Sequence, residues 1–300
     1  MIEKHFTNKP SKTALMAALH RTLANKEYGR EVFGPDRMAI HFLPAYFRFF
    51  LGFKKIRERV KNKIKRKLPG LHEYVSARTA WLDSFFSDAL INKVPQIVLL
   101  GAGYDSRAYR FDAINQVTRI FELDTLSTQK RKKRCLQKAG IDIPEEACLI
   151  PIDFNMESLP DTLRLAGFAT DKKTLFIWEG VSYYLSPDAV EATLEFIKEH
   201  THKESVIAFD YIVPVSKNNI DNYYGAIDFF RMMKKNHADE VLRFSIPEKE
   251  IAFFLKQKGL RILDHYTDDE IERFFLSRKD GTTFGQITGH FRFVTASPAG

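Results

Sequence analysis

Polar groups stand where several apolar runs of this chain stop, and their types suggest recognition of a nucleotide. The run Val98-Leu99-Leu100 enters Gly101-Ala102-Gly103, giving Gly-x-Gly-x-x-Ser with Ser106 in the third place. Glycines there let the backbone turn tightly and bring amides close to a ligand, although a strand-to-helix turn with no ligand explains them too. The next run, Ile120 to Leu123, ends at Asp124, 21 positions after Gly103. That is near the spacing of about 20 at which an acid meets ribose hydroxyls. Glu122 is a second acceptor of this kind, one pleat further from the tip. The third run ends in Asp153-Phe154, a carboxylate for an exocyclic amine and a ring to stack on a base. Asp153 equally suits an N-cap of a following helix.

A fourth run, Thr174 to Trp178, ends at Glu179. A carboxylate beside a central strand is costly unless it is solvated, hydrogen-bonded or paired with a cation. In HEYVSARTAWLDSFFSDAL the helical face Tyr74, Trp81, Leu82, Phe85, Ala89 also carries Arg78, four positions after Tyr74 and four before Leu82. An inward arginine needs an anion: Glu179, another structural carboxylate, or a ligand carboxylate held bidentately. A ligand with a diol, an aminopurine, a carboxylate and a positive centre matches Asp124, Asp153, Arg78 and Glu179 as a set, and S-adenosyl-L-methionine has all four features. NAD would place pyrophosphate at the glycines and leaves Arg78 without a purpose.

Elements must hold these residues together. Helical periodicity covers Ser11 to Lys93, with Ser11 a candidate cap and Leu15, Met16, Leu19 and Leu23 on one face. Beyond residue 95, short apolar runs alternate with polar, helix-period segments. The runs are 96–100, 118–123, 148–152, 174–178, 205–209, 260–263 and 290–295. Such alternation predicts βαβ units and a mostly parallel sheet whose last two strands form an antiparallel pair at its edge. Ligands of such sheets bind beyond the strands' carboxyl ends, where the polar groups fall. The connection from Phe209 to Leu260 carries Tyr223, Tyr224, Phe229, Phe230, Met232 and Met233 at helical spacing, as a lid or as a packed helix. The organisation expected is a helical cap over 1–94 and a ligand-binding domain over 95–300, forming one structural unit.

Composition narrows the function classes. The 26 Phe and 11 Tyr in 300 residues argue against disorder. Cys135 and Cys148 are too few for a disulfide framework or a zinc site, and no His spacing suggests a metal. The polar start MIEKHFTNKPSK and the lack of a run of about 18 apolar residues point to a cytoplasmic protein. The net charge of +8 resides in Lys54 to Lys67, with nine Lys/Arg and one Glu, so no nucleic-acid partner is expected. Ile56, Val60 and Ile64 give that helix a narrow apolar stripe, and the aromatic segment from Phe42 to Phe53 precedes it. The two either form a solvated helix packed on the domain or make weak contact with an anionic membrane surface.

LLGAGYDSRAYRF, FELD, IDF and WEGVSYYL, in that order, resemble the motifs of the leucine carboxyl methyltransferase family, particularly its bacterial S-adenosylmethionine-dependent branch. SKTALMAALHRTLA over Ser11 to Ala24 is similar to that branch's opening segment. The resemblance implies a class I methyltransferase fold: a Rossmann-like α/β sheet of seven strands, mostly parallel with an antiparallel last strand, under an N-terminal helical cap. It implies that Arg78 meets the cofactor's methionine carboxylate and that Gly101 and Gly103 line its methionine end. Asp124 then holds the ribose, Asp153 and Phe154 the adenine, Glu179 lies near the amino or sulfonium group, and Tyr184 faces the substrate. Tyr104 and Phe154 depart from the smaller or aliphatic residues usual there, and the basic helix is more charged than usual.

The function expected is O-methylation of a carboxylate or hydroxyl on a small molecule or peptide. The alternatives are an NAD-dependent oxidoreductase and a non-catalytic cofactor-binding protein attached to acidic surfaces through Lys54 to Lys67. A carboxylate acceptor needs no base, and for a hydroxyl acceptor His265, Asp210 and Tyr183 are candidates with none singled out.

Overall fold

Alternating buried runs and amphipathic helices generate one twisted sheet covered on both faces. The computed structural model describes residues 10–28, 36–236, 241–247, 249–278 and 280–299. The polar stretch at 1–9 and parts of the connection between 209 and 260 lie outside them. The strands are β1 (Gln96–Leu100), β2 (Arg119–Asp124), β3 (Ala147–Pro151), β4 (Thr174–Trp178), β5 (Val206–Ile212), β6 (Leu260–Tyr266) and β7 (Phe291–Pro298), in the order β3-β2-β1-β4-β5-β7-β6. Every pairing through β5 is parallel, and β7 runs antiparallel to both β5 and β6. The antiparallel strand is therefore inserted beside β5, and β6 forms the edge. β1 and β4 coincide with their apolar runs because all five residues of each are buried. β5, β6 and β7 extend beyond theirs, since ladder hydrogen bonds continue through polar residues such as Asp210, Asp264 and His265.

The cap comprises α1 (Lys12–Tyr28), α2 (Ala39–Phe42), α3 (Ala45–Phe50), α4 (Lys54–Lys67) and α5 (Leu71–Ile91). Later helices are α6 (Arg107–Arg110), α7 (Leu126–Ala139), α8 (Leu159–Leu165), α9 (Pro187–Glu199), α10 (Ala226–Asn236), α11 (Ile251–Gln257) and α12 (Asp268–Phe275). One face of the sheet shares a core with α1 and α5; the other packs on α8, α9 and α11. Along α5, Tyr74 stacks on Phe291 at 3.7 Å and Trp81 on Phe293 at 4.5 Å. The cap thus lies on the sheet through aromatic faces, each contributing area and preferred ring geometry. Ser11 does cap α1, its Oγ accepting from the Ala14 amide at 3.0 Å. Of the α1 face, Leu19 and Leu23 are buried while Met16 is exposed, because that part of the helix borders an open cavity.

In α4, Ile64 is buried and Ile56 and Val60 half-buried, so its stripe rests on the domain and the bases face outward. α10 is a packed helix, with Phe229 and Met233 buried. Among the described residues no helix is long and apolar enough to cross a membrane.

Candidate functional site

β1 and β4 are neighbours, and the chain order runs outward from them in opposite directions. That is the switch point of an open α/β sheet, where loops diverge and leave a crevice. Gly101 and Gly103 form the first wall. Gly101 has φ +72°, and a Cβ there would sit 2.5 Å from Val181 Cγ2, so any side chain at this position is strained. The Gly103 amide donates to Asp124 Oδ2 at 2.6 Å, and the Thr125 amide to Oδ1 at 2.6 Å. The expectation that this loop offers its amides to a ligand is thereby corrected at Gly103, whose N–H belongs to the carboxylate. Burial pushes the Asp124 carboxyl up against these hydrogen bonds.

Glu122 resolves differently. It is fully buried, accepting from Lys132 Nζ at 2.7 Å and the Tyr109 hydroxyl at 3.1 Å. Asp124 is therefore the acid of β2 that borders the crevice. Asp153 is not a helix cap. Ser158 caps α8, while Asp153 Oδ1 accepts from the Asn155 amide at 3.0 Å, closing a turn that places Asp153 and Phe154 half-buried at the crevice.

Arg78 points from α5 at the end of β4. Its Nε donates to Glu179 Oε1 at 3.1 Å and its Nη1 to Asp210 Oδ2 and the Tyr74 hydroxyl, both at 2.9 Å. Both open partners are thus present, Glu179 and a structural carboxylate, and Nη2 takes no protein partner among the described residues. Asp210 accepts from the Gly180 amide at 2.6 Å and also from Tyr74. Arg107 clamps the other Glu179 oxygen at 2.7 Å and is itself bound by Asp83 at 2.8 Å and Asp105 at 2.5 Å. Burial alone would push the Glu179 carboxyl up, but Arg107 and Arg78 hold it far below the ordinary carboxylate range. The site therefore carries a fixed carboxylate whose charge is shared by two buried guanidinium groups.

α1 forms the roof. Thr13, Ala14 and Ala17 face the crevice, and Arg21 ties the helix down by donating to the Tyr104 carbonyl at 2.6 Å and to Asp36 at 2.9 Å. The crevice holds about 300 Å³ and is bordered by Arg78, Gly101, Gly103, Asp124, Asp153, Phe154, Glu179 and Tyr184. All eight residues singled out in the sequence therefore meet at one crevice. Sequence reasoning missed the frame around them. Asp210, a carboxylate inside the apolar run of β5, and the Asp105-Arg107 pair were signalled by polarity in buried settings, whereas the Arg21-Asp36 tie left no local signal. Of the candidate bases, His265 bonds Tyr211 at 2.9 Å away from the crevice, and Asp210 is locked by Arg78 and Tyr74. Tyr183 borders the crevice, with its hydroxyl pKa pushed well up by burial and by Asp210, which makes it a hydrogen-bond donor. Among the described residues no cluster of His, Cys, Asp or Glu is arranged to hold a metal.

Comparison with known proteins bears on this arrangement. Residues 14–198 match the family model for leucine carboxyl methyltransferase. A Bacillus subtilis protein assigned as an S-adenosyl-L-methionine-dependent methyltransferase, YktD, is 29% identical over 235 residues, covering 76% of each chain. A Thermobifida fusca crystal structure assigned as a methyltransferase superposes with a TM-score of 0.59 at 14% identity, covering 98% of this chain and 97% of the other. A DUF574-family structure from Streptomyces avermitilis gives a TM-score of 0.56 at 10% identity, covering 92% and 99%.

Proposed function

We propose that this chain, which belongs to the leucine carboxyl methyltransferase family and is an S-adenosyl-L-methionine-dependent methyltransferase, methylates a carboxylate or hydroxyl oxygen of a small molecule or peptide. The residues at the crevice suit the cofactor by the chemistry of their donor set. Asp124 at the tip of β2 offers a carboxylate to a ribose diol, and Asp153 with Phe154 offers an acceptor and a ring to adenine. Arg78 Nη2 and the Gly101–Gly103 turn suit the methionine end, with Glu179 near its cationic groups and Tyr184 toward the acceptor. When bound, the cofactor supplies an electrophilic methyl on a sulfonium. The chain aligns the acceptor oxygen with that methyl and excludes water, and no covalent chemistry is asked of its side chains. A fixed carboxylate at Glu179 favours a cationic ligand there without a proton being moved. The NAD-dependent alternative is set aside, since two carboxylates and a guanidinium frame the glycine turn where a pyrophosphate would lie.

The observation carrying this reading is the convergence of eight residues from five chain regions on one crevice at the switch point. Calorimetry with S-adenosyl-L-methionine tests it: the wild type binds with 1:1 stoichiometry, and Asp124→Ala weakens binding at least tenfold while Glu122→Gln spares the crevice contacts. Unchanged affinity in Asp124→Ala removes the ribose assignment. We further propose a salt-sensitive contact of α3 and α4 with anionic lipid surfaces. Tyr46, Phe49, Phe50 and Phe53 are about half exposed or more beside the outward bases of α4, an apolar and cationic pairing suited to a headgroup layer.

A further inference from the structure

A second cavity of about 1060 Å³ adjoins the crevice, and the two share Thr13, Ala17, Arg78, Tyr183 and Tyr184 as a common wall. Its body is apolar, built from Leu15 of α1, Leu71 and Val75 of α5, Phe229 and Met233 of α10, and Phe291 of β7. Exposed Lys12, Arg66, Lys67 and Arg231 stand at its rim, and among the described residues lining it only Asp228, which pairs with Arg231 at 2.8 Å, opposes them.

Buried polar groups interrupt the apolar lining, Arg78 and Tyr183 at the shared wall and His20 on α1. His20 is 1% exposed, and its Nδ1 lies 3.3 Å from His72 Nδ1. Desolvation, with the charges of His72, Arg78 and Arg21, lowers the His20 pKa to about 3, so the ring is a neutral hydrogen-bonding group.

We propose that this cavity is the acceptor site and takes an amphiphilic anion: an apolar body of fatty-acyl or polycyclic size, a polar oxygen at the wall shared with the crevice beside Tyr183 and Tyr184, and an anionic group among the rim cations. The proposal rests on the methyltransferase reading above and adds the class of acceptor. The volume is at the upper end of the range for small-molecule sites, and its apolar lining with a few placed polar groups is what such sites require. Four cations around an apolar mouth attract an anion and disfavour a cation of equal size.

The test uses full-length protein and two probes of equal chain length, dodecanoate and dodecyltrimethylammonium, titrated by calorimetry below their micelle concentrations. S-adenosyl-L-homocysteine binding is measured in parallel. Dodecanoate is expected to bind 1:1 and about tenfold more tightly than the cation, since each partly exposed ion pair contributes a factor of roughly 1.5 to 5. Arg66→Glu with Lys67→Glu, both on the exposed surface, removes that preference. Equal affinity for both probes overturns the anionic assignment, and binding of neither overturns the cavity's role. Loss of S-adenosyl-L-homocysteine binding in the wild type is a separate failure, that of the cofactor reading.

Discussion

Arg78→Met is the perturbation with the largest expected consequence. The Arg78 side chain is 6% exposed, Asp210 is 0% and Glu179 11% exposed. The substitution keeps most of the aliphatic volume and removes the cation lying between the two carboxylates. Glu179 keeps Arg107 at 2.7 Å, whereas Asp210 keeps only neutral donors, the Gly180 amide and the tyrosine hydroxyls. Breaking a buried pair from one side typically costs about 3–5 kcal/mol because the remaining charge is uncompensated. At roughly 2 °C per kcal/mol for a chain of this size, the melting midpoint should fall by about 6–10 °C. Adding Asp210→Asn removes the stranded charge, and the double variant should recover part of that loss. Differential scanning calorimetry of the wild type, both single variants and the double variant measures the coupling directly. A shift below about 2 °C for Arg78→Met, or additive effects in the double variant, would refute the claim that this guanidinium neutralises a buried carboxylate.

Acidification gives a further signature. Burial lowers the pKa of His20 to about 3, His72 to about 4 and His290 to about 3, from 6.5. A lowered folded pKa means the unfolded chain takes up protons first. The stability these groups contribute is therefore complete above pH 6.5 and is lost as pH falls from 6.5 toward 3–4, by about 2 kcal/mol each at pH 5. Denaturant midpoints should fall between pH 7 and 5, and His290→Phe should shallow the slope by about one proton; a flat wild-type profile over that window contradicts the burial of these rings. Gly101→Ala forces a side chain into φ +72° against Val181 and should lower stability by about 1–3 kcal/mol; thermal unfolding with Val181→Ala added checks this, since the second change should restore only the steric share. In vesicle sedimentation, phosphatidylserine-containing vesicles should retain the protein at about 0.05 M salt and release it near 0.5 M, as screening demands; no retention at low salt disposes of the α3–α4 contact.

The strands and their tips were legible because burial leaves continuous apolar runs that stop abruptly at the sheet's carboxyl edge. Leu175–Trp178 and Gly101–Gly103 are of this kind. Arg78 was legible as an inward residue because helical spacing fixes its face, yet its partner was not: choosing between Glu179 and Asp210 requires knowing that β4 and β5 are neighbours, and the answer is both. Glu122 and Asp124 lie two apart on β2 and share a face, so periodicity does not separate them; the placement of α7 and its Lys132 on Glu122 does. The second cavity escaped sequence reading altogether, because the residues forming it come from α1, α5, α10 and β7 and each looks locally like core or solvated surface.

A crystal structure of the complex with S-adenosyl-L-homocysteine tests the central claim most directly. The account requires the ribose hydroxyls within hydrogen-bond distance of Asp124, adenine beside Asp153 and Phe154, and the amino-acid carboxylate at Arg78. A nucleoside bound elsewhere, or its ribose on Glu122 with Asp124 turned away, would contradict it.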